Sequence, residues 1–309
     1  YDEHYFRFCS EFGFEAFPCM ETIKTFALEE DMNPFSRVME SHQKCECGNA
    51  RILSYLSENY RYPYSFSELV YISQILQAEA IEYGVEHFRR NRGRCMGAIY
   101  WQLNDCWPGP SWASIDYGGN YKALQFRAGH FFAKTLLSAK KSAKVLTLNI
   151  SHEGVESFDG KVKLSVCDNF FNIKFSKDYL VSVDRLSSKD IDTIDLNPYI
   201  DDFETYVAIE LYDKDNNLIS QNSTIFVKPK YYNYQNPTVT IQKSSDNNSI
   251  IVKSDCYTRG VYLSASGIDF SENFFDIVSA EGVRIPIRNE IENVIVDEIN
   301  ILAVNYIGK

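Results

Sequence analysis

Long apolar runs are missing from this chain: no stretch is long enough to cross a bilayer as a helix. Basic charge is scarce. Lys and Arg number 31 against 42 Asp and Glu, a formal net charge of −11. A nucleic-acid binder needs a basic face to displace counterions from phosphates, and the sequence has no such run. Its longest basic cluster, Arg89, Arg90, Arg92 and Arg94, falls at a predicted helix end, where cations complement the helix dipole. Histidine is rare, and the tightest group of soft ligands, His42, Cys45 and Cys47, matches no standard zinc spacing. No metal and no cofactor are expected. The eight cysteines do not have the spacing of a disulfide framework. Several fall inside strand-like runs such as 162–167, where they read as small buried hydrophobes. That favours a reducing compartment, and a cytoplasmic location is expected. An initiating Met is also missing. The chain opens Tyr1-Asp2-Glu3-His4, so its natural start is expected to lie upstream. Glycosylation triplets begin at Asn149, Asn222 and Asn247, but such triplets are common by chance.

What the sequence does contain is apolar and aromatic residues, at 45% and 15%. Residues 1–138 alternate strand and helix signals. An apolar run, 6–10, ends at Glu11. A short helix is expected over 22–28, and an irregular stretch over 31–49. A long amphipathic helix with Ser67 and Glu68 at its start runs to about Arg90. The run 96–103 has the pattern of a buried parallel strand, and 121–137 reads as a helix. This is the rhythm of a parallel α/β fold. After Ser138 it gives way to short β-branched and aromatic runs separated by turn signals at Asp159-Gly160 and 215–217, a β-sandwich pattern. An aromatic linker at 231–237 precedes a second, smaller β region. The expected division is 1–138, 139–232 and 233–309.

Two segments could carry chemistry. Ser10-Glu11-Phe12-Gly13-Phe14 puts a carboxylate at the tip of an apolar strand, where active sites of parallel barrels are built. Alone, a Glu in that position usually has no chemical role. The second segment is Gly97-Ala98-Ile99-Tyr100-Trp101-Gln102-Leu103-Asn104-Asp105-Cys106-Trp107, continuing to Trp112. It contains all three tryptophans of the chain. An indole stacks on the C–H face of a pyranose, and neighbouring amides and carboxylates bond its hydroxyls. A core Trp followed by an Asn-Asp turn is the plainer reading. Asp116, His87 and His130 read as structural.

Together the two segments closely resemble glycoside hydrolase family 2, in its β-mannosidase branch. The resemblance continues through Tyr121-Lys122-Ala123-Leu124 and Phe131-Phe132-Ala133. Glu272-Asn273-Phe274-Phe275-Asp276 is similar to the family's C-terminal sandwich motif. The likeness is dense over 6–137 and sparse beyond. It implies the C-terminal part of a (β/α)8 TIM barrel followed by two immunoglobulin-like β-sandwich domains. It implies Glu11, at the seventh barrel strand, as the catalytic nucleophile. Trp101, at the end of the eighth, would line the mannosyl subsite, with Asn104 and Asp105 beside it in the substrate-binding loop.

A retaining glycosidase needs two carboxyl groups roughly 5–5.5 Å apart, one ionised as nucleophile and one held protonated as acid. In the family the acid is a Glu after an Asn at the fourth strand, which is expected upstream of residue 1. Asn289-Glu290 lies deep in the last β region and reads as a surface turn. Two smaller departures do not touch the chemistry: Glu15 where the family often has Gln, and Ser279-Ala280 where it often has Pro-Gly. The function implied is metal-free release of terminal β-linked mannose from an oligosaccharide substrate, with no nucleic-acid or membrane partner. The isolated chain is expected to be inactive. The alternatives are a β-galactosidase or β-glucuronidase activity, and a non-catalytic carbohydrate-binding protein.

Overall fold

Two short parallel strands, β1 (Cys9–Phe12) and β2 (Ala98–Tyr100), form a sheet of their own, with Cys9 opposite Ala98 and Phe12 opposite Tyr100. The computed structural model describes residues 1, 3–245, 248–288 and 295–309. Asn289-Glu290 and the Asn247 triplet's first residue therefore lie outside the described residues. The chain between β1 and β2 carries α1 (Met20–Ile23), α2 (Arg37–Ser41), α3 (Gly48–Asn59) and α4 (Phe66–Arg90). After β2 comes a long loop, then α5 (Ala123–Phe131).

The expected strand over 96–103 is only three residues long, and Ile99 is 54% exposed. Its one paired edge is β1, so nothing among the described residues extends the sheet beyond it. The long helix starts two residues earlier than its sequence signal suggested. Ser65, not Ser67, is the cap, accepting the Glu68 amide at 3.1 Å. The stretch expected to be irregular holds α2 and leads into α3.

The helix α4 is buried nearly all round, including polar positions that a surface helix would leave in water. Ser73 accepts the Phe17 amide at 3.2 Å, Gln74 donates to the Phe17 carbonyl at 3.2 Å, and Gln77 donates to the Phe14 carbonyl at 2.7 Å. One face of the helix is thus used to fix the backbone that follows β1. A buried amide left unbonded would cost about 1–3 kcal/mol, so these contacts hold the segment in place.

The remainder is largely β, in two sandwiches. The first pairs a sheet of β3 (Thr135–Ser142), β4 (Val145–His152) and β7 (Ser187–Asp195) with one of β5 (Phe158–Asp168), β6 (Ile173–Val183), β8 (Thr205–Asp213) and β9 (Leu218–Thr224). Its core is aliphatic: Leu146, Leu148, Ile150, Val162, Leu164 and Leu211 are wholly buried. Asp159-Gly160, expected as a turn, lies inside β5. The second sandwich has β10 (Val239–Lys243), β11 (Ser249–Ser254) and β14 (Val283–Pro286) in one sheet. The other holds β12 (Thr258–Ser264), β13 (Phe275–Ile277) and β15 (Asn300–Leu302).

The three parts share one core. Ile72, Ile75 and Ile81 of α4 belong to the same buried cluster as Tyr206, Tyr232, Tyr257 and Phe274 of the sandwiches. Polar contacts cross the same boundary. Arg259 meets Glu79 at 2.5 Å, Arg127 of α5 lies 3.8 Å from Asp276, and Tyr71 donates to the Gly260 carbonyl at 2.5 Å. The motif 272–276 serves this junction. Asn273 accepts the Leu263 amide at 2.7 Å and donates to its carbonyl at 2.8 Å. Phe274 stacks on Tyr71 at 5.9 Å, and Asp276 accepts the Gly260 amide at 2.9 Å.

Candidate active site

Glu11 and Trp101 stand at the same end of adjacent parallel strands. The Trp101 amide donates to the Phe12 carbonyl at 2.8 Å, continuing the pairing past Tyr100. Parallel strands put their carboxyl ends together, so two residues distant in sequence share one rim. Cys9 and Phe12 both pack with Phe88 of α4, although they are three residues apart. An irregularity in register between them allows it and leaves Glu11 exposed. Gly13 follows because nothing larger fits: a Cβ there would lie 2.6 Å from the Trp101 carbonyl oxygen and 2.9 Å from Trp112 Cδ1.

The loop after β2 folds back on the segment after β1. Ala16 and Ser111 exchange amide-to-carbonyl bonds at 3.0 Å in both directions. Gln102 donates from its amide to Trp112, at 3.2 Å, and Ile115 to Leu103, at 2.8 Å. Trp101 is 47% exposed and Trp107 46%. The Asn104 side chain is exposed and donates to the Asp105 carbonyl at 3.2 Å. Asp105 is different. Its carboxylate is buried, accepts Ser111 Oγ at 2.5 Å and pairs with Lys44. It holds the loop in shape. Of the four expected site residues, the structure brings Glu11 and Trp101 to one rim, places Asn104 on the adjoining open loop, and turns Asp105 inward.

His42 binds the same loop from the other side. Its ring stacks between Phe26, at 4.0 Å, and Trp107, at 5.2 Å, and its Nδ1 lies 2.6 Å from the Pro108 carbonyl oxygen. Asp116 accepts the Cys19 amide at 3.0 Å and the Asn120 amide at 2.9 Å. No group of ligands that could hold a metal is found among the described residues.

Sequence reasoning set Glu15 aside. The structure buries it next to the rim, beside a cavity of about 180 Å³ that Gly13, Arg51, Tyr55 and Trp112 also line. Burial pushes its carboxyl up to about 7, against the opposing pull of Lys122, Gln43, Lys44 and Arg51. Lys122 is wholly buried; its Nζ donates to the carbonyls of Ser111 at 3.2 Å and Ala16 at 3.4 Å. Burial lowers it to about 8. The Gln-to-Glu departure was the available signal for this buried acid.

A larger cleft, about 660 Å³, lies on another face of α3, between Phe35, Tyr60, Tyr62 and Tyr64. No carboxylate lines it, so glycosidic chemistry has no acid or nucleophile there.

Comparison with known proteins follows the same division. A mannosidase Ig/CBM-like domain family matches residues 144–231, and an Ig-fold domain family matches 234–293. The β-mannosidase of Bos taurus is 36% identical over 143 residues, covering 42% of this chain and 16% of that protein. β-Mannosidase B of Aspergillus terreus is 46% identical over 115 residues, covering 36% of this chain and 14% of its own length. The chain thus matches only a small share of these curated relatives. The crystal structure of the β-D-mannosidase of Dictyoglomus thermophilum superposes with a TM-score of 0.87 at 27% identity, over 97% of this chain and 37% of that one. The exo-chitosanase CsxA of Amycolatopsis orientalis, at 14% identity and a TM-score of 0.75 over 97% of this chain and 42% of its own, shares the fold. Sequence and fold together support a likeness of this chain to a C-terminal portion of the β-mannosidase type, in glycoside hydrolase family 2.

Proposed function

We propose that this chain supplies the nucleophile and the aromatic wall of a retaining, exo-acting β-mannosidase. The observation that carries the reading is the parallel pairing of β1 with β2, which sets Glu11 and Trp101 on one rim. The two strands and their helices are, in this reading, the last part of a (β/α)8 barrel, with divisions near 138 and 232. Glu11 attacks C1 of the terminal mannose, and the C1–O bond to the leaving group breaks as an acid protonates that oxygen. Water then releases mannose from the Glu11 ester. Trp101 stacks on the ring, Asn104 faces a hydroxyl, and Asp105 acts by fixing the loop that carries them.

The partner acid is assigned to the part of the relatives' length that this chain does not span. Alone, the chain is therefore inactive in this reading. Its aromatic rim and neutral substrate fit an acidic surface and a reducing, cytoplasmic setting. The test uses the intact protein that contains this chain and a 2-deoxy-2-fluoro-mannosyl fluoride, which forms the ester but hydrolyses slowly. Peptide mass spectrometry should locate the adduct on Glu11. An adduct on another residue, or none despite turnover, overturns the assignment. Saccharide binding without turnover in the intact protein selects the non-catalytic carbohydrate binder.

A further inference from the structure

Two loops meet beside Glu11, and one buried carboxyl lies under their junction. The segment from His42 to Gly48 reaches over Glu15, which is 9% exposed. Gly48 makes the approach possible: a Cβ there would lie 2.6 Å from Glu15 Oε2 and 2.5 Å from the Gln43 side chain. The same segment grips the tryptophan loop through Lys44 on Asp105, His42 on Trp107, and the Trp107 indole N–H on the His42 carbonyl at 3.3 Å. Glu15 Oε1 is buried and has no hydrogen-bond partner among the described residues.

We propose that Glu15 is a positioning residue: its carboxyl, while protonated, seats the 42–51 segment and with it the tryptophan loop against the Glu11 strand end, and its ionisation unseats them. The charged groups facing it are Lys122 ahead of α5, Lys44 on the segment itself and Arg51 on α3. None hydrogen-bonds Oε1. Ionisation would leave a buried anionic oxygen without a donor, which is costly. Relief comes from entering water or from a donor that moves: Lys44 must leave Asp105, Gln43 must leave Asn49, or Arg51 must leave the Cys45 thiol to provide it. Either route disturbs the segment that grips the tryptophan loop. The carboxyl, pushed up to about 7, changes state at neutrality. A Gln at this position would seat the segment at every pH.

The inference rests on the glycosidase reading for its meaning in catalysis, but its test needs no substrate. Trp101, Trp107 and Trp112 are the only indoles in the chain, and all lie on the loop in question. Tryptophan emission of the full chain, followed from pH 5.5 to 8.5, should show one step near neutrality. E15Q should keep the acid-form spectrum throughout. G48A, which forces the segment off Glu15, should show the alkaline-form spectrum throughout. H42Q, which removes the other titratable ring beside Trp107, should retain the step. Far-UV circular dichroism verifies folding. If E15Q does not fold, the wild-type step and its loss in G48A decide. No step in wild type, a step that persists in E15Q, or one lost in H42Q overturns the proposal. Failure to label Glu11 with the fluoro-sugar, with the step intact, sinks the glycosidase reading alone.

Discussion

Trp101 is the residue whose exposure decides its use. It lies at the end of a strand, 47% exposed beside an exposed carboxylate, where a core indole would be covered. Removing it should weaken a mannose-configured inhibitor. W101A in the intact protein is expected to lose about tenfold in affinity, near 1.4 kcal/mol for a stacked aromatic contact, measured by calorimetric titration. An unchanged affinity removes the indole from the subsite. Glu11 and Trp101 were legible in the sequence because each sits in a motif long enough to resemble a family. Asp105 was named from the same motif, but its inward turn was not legible, since Lys44 and Ser111 reach it from elsewhere. Glu15 was passed over for a related reason. Its burial depends on the fold-back of the 42–48 segment, and no local pattern announces that.

Among the elements, α4 does the most to place the site, because Ser73, Gln74 and Gln77 fix the backbone after β1. Its start rests on Ser65. S65A should destabilise the chain by about 1 kcal/mol, measured by urea denaturation, with the effect absent in S67A. The sequence signals overshot by two residues because both serines precede an acidic residue in a run of good formers. They missed α3 because its Ser, Asn and Gly content reads as loop, and few of its apolar residues, Ile52, Leu53 and Leu56, face the core. β7 was missed because it is an edge strand of alternating Ser, Asp and Ile, with polar side chains toward water. The central strands β5 and β8 were recognised from their apolar runs, since both edges of each are paired.

At the scale of the whole molecule, the helical part and the sandwiches form one body through a buried ionic junction. Glu79 and Glu86 project from α4 toward Arg259 and the β9 residue Asn222, and Arg127 of α5, paired with Glu82, reaches Asp276 at 3.8 Å. Burial, reinforced by Glu82, pushes Glu86 up to about 7 despite its 3.2 Å pair with Arg90. The unfolded carboxyl titrates near 4.3. The folded chain therefore holds a proton that the unfolded chain has already lost between those values. That advantage is complete below the lower value, disappears as pH rises through the upper one, and is flat beyond. The melting temperature should fall between pH 5 and 7.5, and E86Q should flatten part of the fall. A wild-type melting temperature that rises over this range contradicts the assignment. The Asn222 triplet is occupied in the same way, its amide donating to Glu86 at 3.2 Å, and Asn149 is buried on Asp190.

The grip between the 42–48 segment and the tryptophan loop has a chemical corollary. All eight cysteines are free thiols; Cys9, Cys19, Cys95, Cys167 and Cys256 are buried. The accessible thiols are Cys45, Cys47 and Cys106, and all three belong to the two gripped segments. An alkylating reagent in solution therefore meets this protein's thiols first at the margin of the rim that carries Glu11 and Trp101, and modification would concentrate there.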